Sequence, residues 1–158
     1  MNVDITDLKT VRLSQDGSAV IILDQTCLPG SEVYVSLSSA EEIWEAIYRL
    51  KVRGAPAIGI AAAYGIYVCS RQIAANTYGG FCSEFLRIKD YLASSRPTAV
   101  NLVAALDRME KCVLSLQDQQ VDTIKIKLQQ EAEAIRAEDA AACRSIGEWG
   151  LSVLQPGM

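Results

Sequence analysis

The sequence predicts an α+β fold: a small N-terminal three-stranded antiparallel sheet followed by a bundle of about five helices. Three observations carry this. Short β-branched runs separated by turn residues fill the chain up to Leu37. Near residue 38 the apolar period changes from two to about 3.6 and does not change back. Half of the 158 residues are apolar and 22% are charged, the balance of a globular chain long enough for one domain with a real core.

The elements follow in order. "TVRLSQDGSAVIILDQ" places two β-branched runs around Gln15-Asp16-Gly17, which reads as a hairpin. Thr26 to Gly30 breaks the pattern, and "EVYVSL" is the third strand. "SSAEEIWEAIYRLKV" opens a helix with Ser38 or Ser39 ahead of Glu41 and Glu42, a capping-box arrangement, and Ile43, Ile47 and Leu50 share one face. The next helix is expected from Pro56 to about Ala75, ended by "NTYGG". "FCSEFLRIKDYLASS" is amphipathic through Phe81, Phe85, Ile88 and Leu92. A helix from about Pro97 to Gln117 follows. The last runs from Val121 to Gly150 with a stripe at Ile124, Leu128, Ala132, Ile135, Ala142, Ile146 and Trp149. Gly150 is expected to close it, so that residues 1–150 form the domain and residues 151–158 lead toward a further strand.

Composition excludes several function classes. A net charge of -4 argues against general nucleic-acid binding, which needs a basic face. The longest apolar run is bracketed by Arg53 and Arg71 and is too short to span a membrane. The opening "MNVDITDLKT" has no apolar signal-peptide core. The chain has no histidine, which removes the commonest general base and metal ligand together. Five cysteines without a C-x-x-C pair read as reduced thiols of a cytoplasmic protein.

Two short stretches point to an anion site. "KVRGAPAIGIAAAYG" places Arg53-Gly54-Ala55 before Pro56, and "SSRPTAV" places Arg96 before Pro97. Each puts an arginine ahead of an expected proline-initiated helix, with Ala55 pushed out of helical backbone space by the proline after it. Free helix N–H groups attract anions, and a guanidinium binds phosphate through two parallel hydrogen bonds. The bland alternative is that each arginine caps a helix or pairs with a carboxylate. Gly59 and Gly65 fit close helix packing better than phosphate cradling. Asp24 reads as a turn former or as a residue that orients the site, and Glu138-Asp139 as a solvated face or an intersubunit contact. Tyr64, Tyr67 and Tyr78 fit helix packing better than substrate stacking.

"LDQTCLPG", "VRGAPAIGIAAAYG", "SSRPTAVNL" and "IGEWGLSVLQPG" together resemble the N-terminal half of the methylthioribose-1-phosphate isomerase family, which belongs with the regulatory subunits of the initiation factor 2 exchange factor. The resemblance covers about Val11 to Gly157. It implies a C-terminal Rossmann-like domain that is absent from these residues, and a homodimer. It implies substrate contacts by Arg53, Gly54, Ala55 and Arg96. The family's catalytic cysteine and aspartate have no counterpart here, and Cys143 and Asp139 lie in helical sequence and do not fill those roles. The implied reaction opens the ring of 5-methylthioribose 1-phosphate and moves hydrogen between C1 and C2 to give 5-methylthioribulose 1-phosphate, in methionine salvage. Neither a metal nor an organic cofactor is implied, and this half alone is expected to be inactive. Two rivals remain: an isomerase of ribose 1,5-bisphosphate or 5-deoxyribose 1-phosphate, and a non-catalytic regulatory subunit.

Overall fold

The computed structural model describes residues 10–154. Strands β1 (Val11–Leu13), β2 (Val20–Leu23) and β3 (Tyr34–Leu37) form one antiparallel sheet in the order β1-β2-β3, and helices α1 (Ala40–Tyr48), α2 (Ala55–Arg71), α3 (Tyr78–Ala93), α4 (Val100–Leu114) and α5 (Val121–Val153) follow. The sheet and helix order are those the change of apolar period predicts.

The hairpin between β1 and β2 pairs Val11 with Ile22 and Leu13 with Val20. Its loop turns at Gly17, which takes φ 68, and Asp16 accepts hydrogen bonds from the Ser14 hydroxyl and from the Ser18 amide and hydroxyl. Val20 pairs with Leu37 across β2 and β3, and both are buried against the helices.

Helix α2 is the axis of the bundle. Every residue from Ile58 to Ser70 is buried, so the helix has no solvent face and its sequence shows little amphipathic pattern. The other elements wrap it. Small residues set two of the approaches: a Cβ at Gly65 would lie 2.7 Å from Ile43 Cγ2 of α1, and one at Gly59 would lie 2.9 Å from the Asn101 carbonyl oxygen of α4. Phe81, Phe85, Ile88 and Leu92 bury the inner face of α3, and Ile124, Leu128 and Ala132 that of α5. Lys89 ties α3 to Asp107 (2.6 Å) and Glu110 of α4. Arg108 of α4 reaches Glu131 (2.5 Å) and, with both terminal nitrogens, Glu138 of α5. Glu138 is thus committed to a contact inside the chain.

Several boundaries differ from expectation. Leu50 lies outside α1 at φ 59 and is 40% exposed, because the chain must reverse there to enter α2. The Ile58 amide donates to Gly54 O (3.0 Å), which makes Gly54 the cap and Ala55, not Pro56, the first helical residue. "NTYGG" opens α3 instead of ending α2, since the Thr77 hydroxyl accepts from the Gly80 amide and Phe81 is drawn into the core. Pro97 does not start α4: the Ala99 amide donates to Arg96 O (2.9 Å), closing a turn, and the helix begins at Val100. Gly150 does not end α5, which continues to Val153; residues 155–158, and with them the end of the expected lead to a strand, lie outside the described residues.

Candidate functional site

The helix ends differ in how their free N–H groups are satisfied. Helix α1 has a full capping box, with the Ser39 hydroxyl on the Glu42 amide and the Glu42 carboxylate on the Ser38 and Ser39 amides, and two acids in its first turn. Helix α3 has its Thr77 cap, and α5 has Asp122 in its first turn. Helices α2 and α4 have neither a side-chain cap nor an acid in the first turn. A helix end left this way keeps its partial positive charge and its unbonded donors.

These two uncapped ends lie against each other. Gly59, one turn into α2, meets Asn101 in the first turn of α4, and beside them Pro56, Asn101, Arg108, Ile135 and Asp139 line a cleft of about 290 Å³. Arg53 and Arg96 stand in the loops that lead into the two helices.

Arg53 is held by main chain. Its Nε donates to Leu50 O (3.2 Å) and its Nη2 to Gln25 O (3.0 Å), while Gln25 Nε2 donates back to Arg53 O (3.3 Å). Neutral carbonyls fix the guanidinium and leave its charge uncompensated, and Nη1 has no partner among the described residues. Left-handed Leu50 is what turns its own carbonyl toward Arg53. Asp24 is buried and accepts from the Thr26 amide (3.0 Å) and hydroxyl (2.6 Å), while the Gln25 amide donates to Lys51 O (2.9 Å). The two readings of Asp24 therefore merge: the turn it forms is the turn that aims the Gln25 carbonyl.

Arg96 is half-buried, and its side chain makes no hydrogen bond to a described residue. Among the described residues no carboxylate lies within ion-pair distance of Arg53 or Arg96, although all seven pairs that do form use other residues. Among the described residues neither arginine makes the carboxylate pair of the bland alternative. Gly54 takes φ 94, a backbone conformation that side chains oppose, and nothing lies within 4 Å of where a Cβ would project. The space beside it is open.

The remaining candidates fall elsewhere. Cys143 is an exposed thiol on the outer part of α5, and Asp139 lines the cleft without a basic partner among the described residues. Tyr64 and Tyr67 are core residues, and burial pushes the Tyr64 hydroxyl above its ordinary range, with Glu133 adding to the effect. The sequence reading missed Gln25 and Leu50 as the holders of Arg53; the run "LDQT" signalled only a turn, since a backbone carbonyl carries no residue-type signature. It also missed Asn101, whose position in "TAVNL" has no apolar period to mark it.

Known proteins resemble this chain over nearly its whole length. Methylthioribose-1-phosphate isomerase of Parabacteroides distasonis is 60% identical over 148 residues, covering 94% of this chain and 44% of the relative. The 5-deoxyribose 1-phosphate isomerase of Petrotoga mobilis is 49% identical over 148 residues, covering 94% of this chain and 43% of that protein. The crystal structure of 5-methylthioribose 1-phosphate isomerase from Pyrococcus horikoshii superposes with a TM-score of 0.87 at 37% identity, over 92% of this chain and 40% of that one. The chain thus spans less than half the length of the relatives it matches. The sequence pattern of the initiation factor 2 subunit family matches residues 51–158, a stretch that begins two residues before Arg53 and includes Arg96. Matched by that pattern over residues 51–158 and 60% identical to the Parabacteroides distasonis relative over 148 residues, the chain belongs to the initiation factor 2 subunit family.

Proposed function

We propose that this chain is the substrate-binding N-terminal part of an isomerase that converts 5-methylthioribose 1-phosphate to 5-methylthioribulose 1-phosphate in methionine salvage. One observation carries the reading: two arginines without carboxylate partners among the described residues stand at two adjoining helix ends that have neither cap nor acid. Arginine charge placed beside the positive pole of a helix is repulsive unless an anion joins them. A sugar phosphate supplies that anion, with its phosphate on one arginine loop and the polar edge of its sugar on the other, and with the Gly54 and Ala55 backbone open to close approach. The names of the relatives point the same way, to sugar 1-phosphates.

The chain binds and does not turn over. We place the ring-opening acid/base pair in the part of the relatives' length that this chain does not span. Five unpaired thiols suit a reducing, cytoplasmic setting. A homodimer is the expected assembly, since Ile146 (72%), Trp149 (77%) and Leu151 (70%) are exposed on α5.

The test is to join the chain to the part of the Parabacteroides distasonis relative that follows the matched segment. The chain alone should show no conversion of 5-methylthioribose 1-phosphate, and the joined protein should show turnover. Turnover of 5-deoxyribose 1-phosphate only would move the reading to the sibling substrate. No turnover of either sugar phosphate, by a folded joined protein, would favour a regulatory subunit. Arg53→Ala or Arg96→Ala should each lower kcat/KM about ten- to a hundredfold, the worth of a charge-assisted hydrogen bond at roughly 1.5–3 kcal/mol. Arg53→Lys should rescue only in part, because it keeps the charge and loses the planar fork.

A further inference from the structure

Helix α1 touches both arginine loops. At its C-terminal end the chain reverses through Leu50, whose carbonyl accepts from Arg53 Nε (3.2 Å). At its midpoint Trp44 donates its indole N–H to Ser94 Oγ (2.9 Å), two residues before Arg96. Trp44 also stacks on Tyr48 of its own helix (centroids 4.7 Å apart, 19° between planes) and on Tyr91 of α3 (6.1 Å, 25°). The Ser94 hydroxyl donates in turn to Tyr91 O (2.6 Å), and the buried Ser95 hydroxyl to Leu92 O (2.7 Å), so the end of α3 is fixed up to the residue before Arg96.

We propose that Trp44, through its hydrogen bond to Ser94, is a positioning residue that sets the spacing between the Arg53 and Arg96 loops; the inference rests on the sugar-phosphate reading of the site. Two apolar residues in contact leave α1 and α3 free to slide, whereas a hydrogen bond has a narrow range of length and angle. The bond lies on the partly exposed rim, where its contribution to fold stability is small and its geometric role is the larger one. A ligand that bridges both loops depends on their spacing. One held by a single loop does not.

That difference gives the test. The 158-residue chain is titrated calorimetrically with ribose 1-phosphate and, separately, with inorganic phosphate, as wild type and as Ser94→Ala, Ser94→Thr, Trp44→Phe, Arg53→Ala and Arg96→Ala. Ser94→Ala and Trp44→Phe should weaken ribose 1-phosphate about fivefold or more, the scale of one hydrogen bond, and leave inorganic phosphate unchanged. Ser94→Thr keeps the hydroxyl and should restore binding. Equal loss for both ligands, or a lowered Tm with unchanged affinities, would mean that the bond only stabilises the fold, and would overturn the proposal. Wild-type affinity in Ser94→Ala and Trp44→Phe, with loss in the arginine variants, would overturn the positioning role and leave the site intact. No binding by the wild-type chain, or none that depends on the arginines, would overturn the site and the positioning role together.

Discussion

Helix α2 and the outer part of α5 draw on the same apolar residue types and meet opposite fates. Thirteen consecutive residues of α2 are buried, whereas every residue from 140 to 154 is exposed, Ile146 and Trp149 among them. The reason is length. At 1.5 Å per residue the 17 residues of α2 reach about 25 Å, and the 33 of α5 about 50 Å, so half of α5 runs past the helices that could cover it. An apolar stripe records what a face needs covered. Ile124, Leu128 and Ala132 find that cover inside the chain; Ala142, Ile146 and Trp149 do not.

The comparison can be broken most directly by truncating one leucine in each region. Leu128→Ala, fully buried, should cost about 2–5 kcal/mol in chemical denaturation, and Leu151→Ala, 70% exposed, less than about 0.5 kcal/mol. Similar costs would mean that the outer part of α5 is packed in solution. A single substitution type tests the same point with opposite signs. Gly65→Ala drives a methyl into Ile43 at 2.7 Å and should cost about 1–3 kcal/mol, lowering Tm by roughly 2–4 °C per kcal/mol. Gly147→Ala meets nothing within 4 Å and gains up to about 1 kcal/mol of helix propensity, so Tm should hold or rise.

Trp149→Glu sharpens the comparison from the association side. It should shift the sedimentation profile toward monomer while leaving thermal unfolding of the bundle within about 0.5 kcal/mol of wild type. A wild-type chain that sediments as a monomer at tens of micromolar would remove the homodimer reading.

The smallest effect concerns helix ends. The Ser38 amide foremost holds the Glu42 carboxyl below its ordinary 4.5; burial opposes it, and the Ser39 amide and the Ser38 hydroxyl add to the lowering. A lowered carboxyl contributes stability that is complete above 4.5 and is lost as pH falls through its value in the folded protein. On an exposed helix end this amounts to a few tenths to about 1 kcal/mol. Glu42→Gln should remove that part of the acid-side loss in a pH series of unfolding curves. The starts of α2 and α4, with no first-turn carboxylate, contribute no such slope.

The sequence by itself determined the class of fold and the identity of the helix faces. The change of period near residue 38 separated sheet from helices; the face of α3 is buried residue for residue as read, and so are Ile124, Leu128 and Ala132 of α5, while Ile135 is partly buried. Period and residue type are local properties, written in the spacing of side chains along the chain. The arginines at 53 and 96 were likewise visible beside their prolines. Only the tertiary structure decided the rest. It made "NTYGG" a helix start by drawing Phe81 into the core, and it carried α5 past Gly150, where an exposed glycine costs a helix too little to end it. It also held Arg53 on the carbonyls of Leu50 and Gln25, laid Gly59 against Asn101, and linked Trp44 to Ser94. Three of these contacts run through backbone atoms, which every residue carries alike, and three join residues at least 28 positions apart. Such distant pairings have no period to reveal them, and only the close packing around α2 selects them.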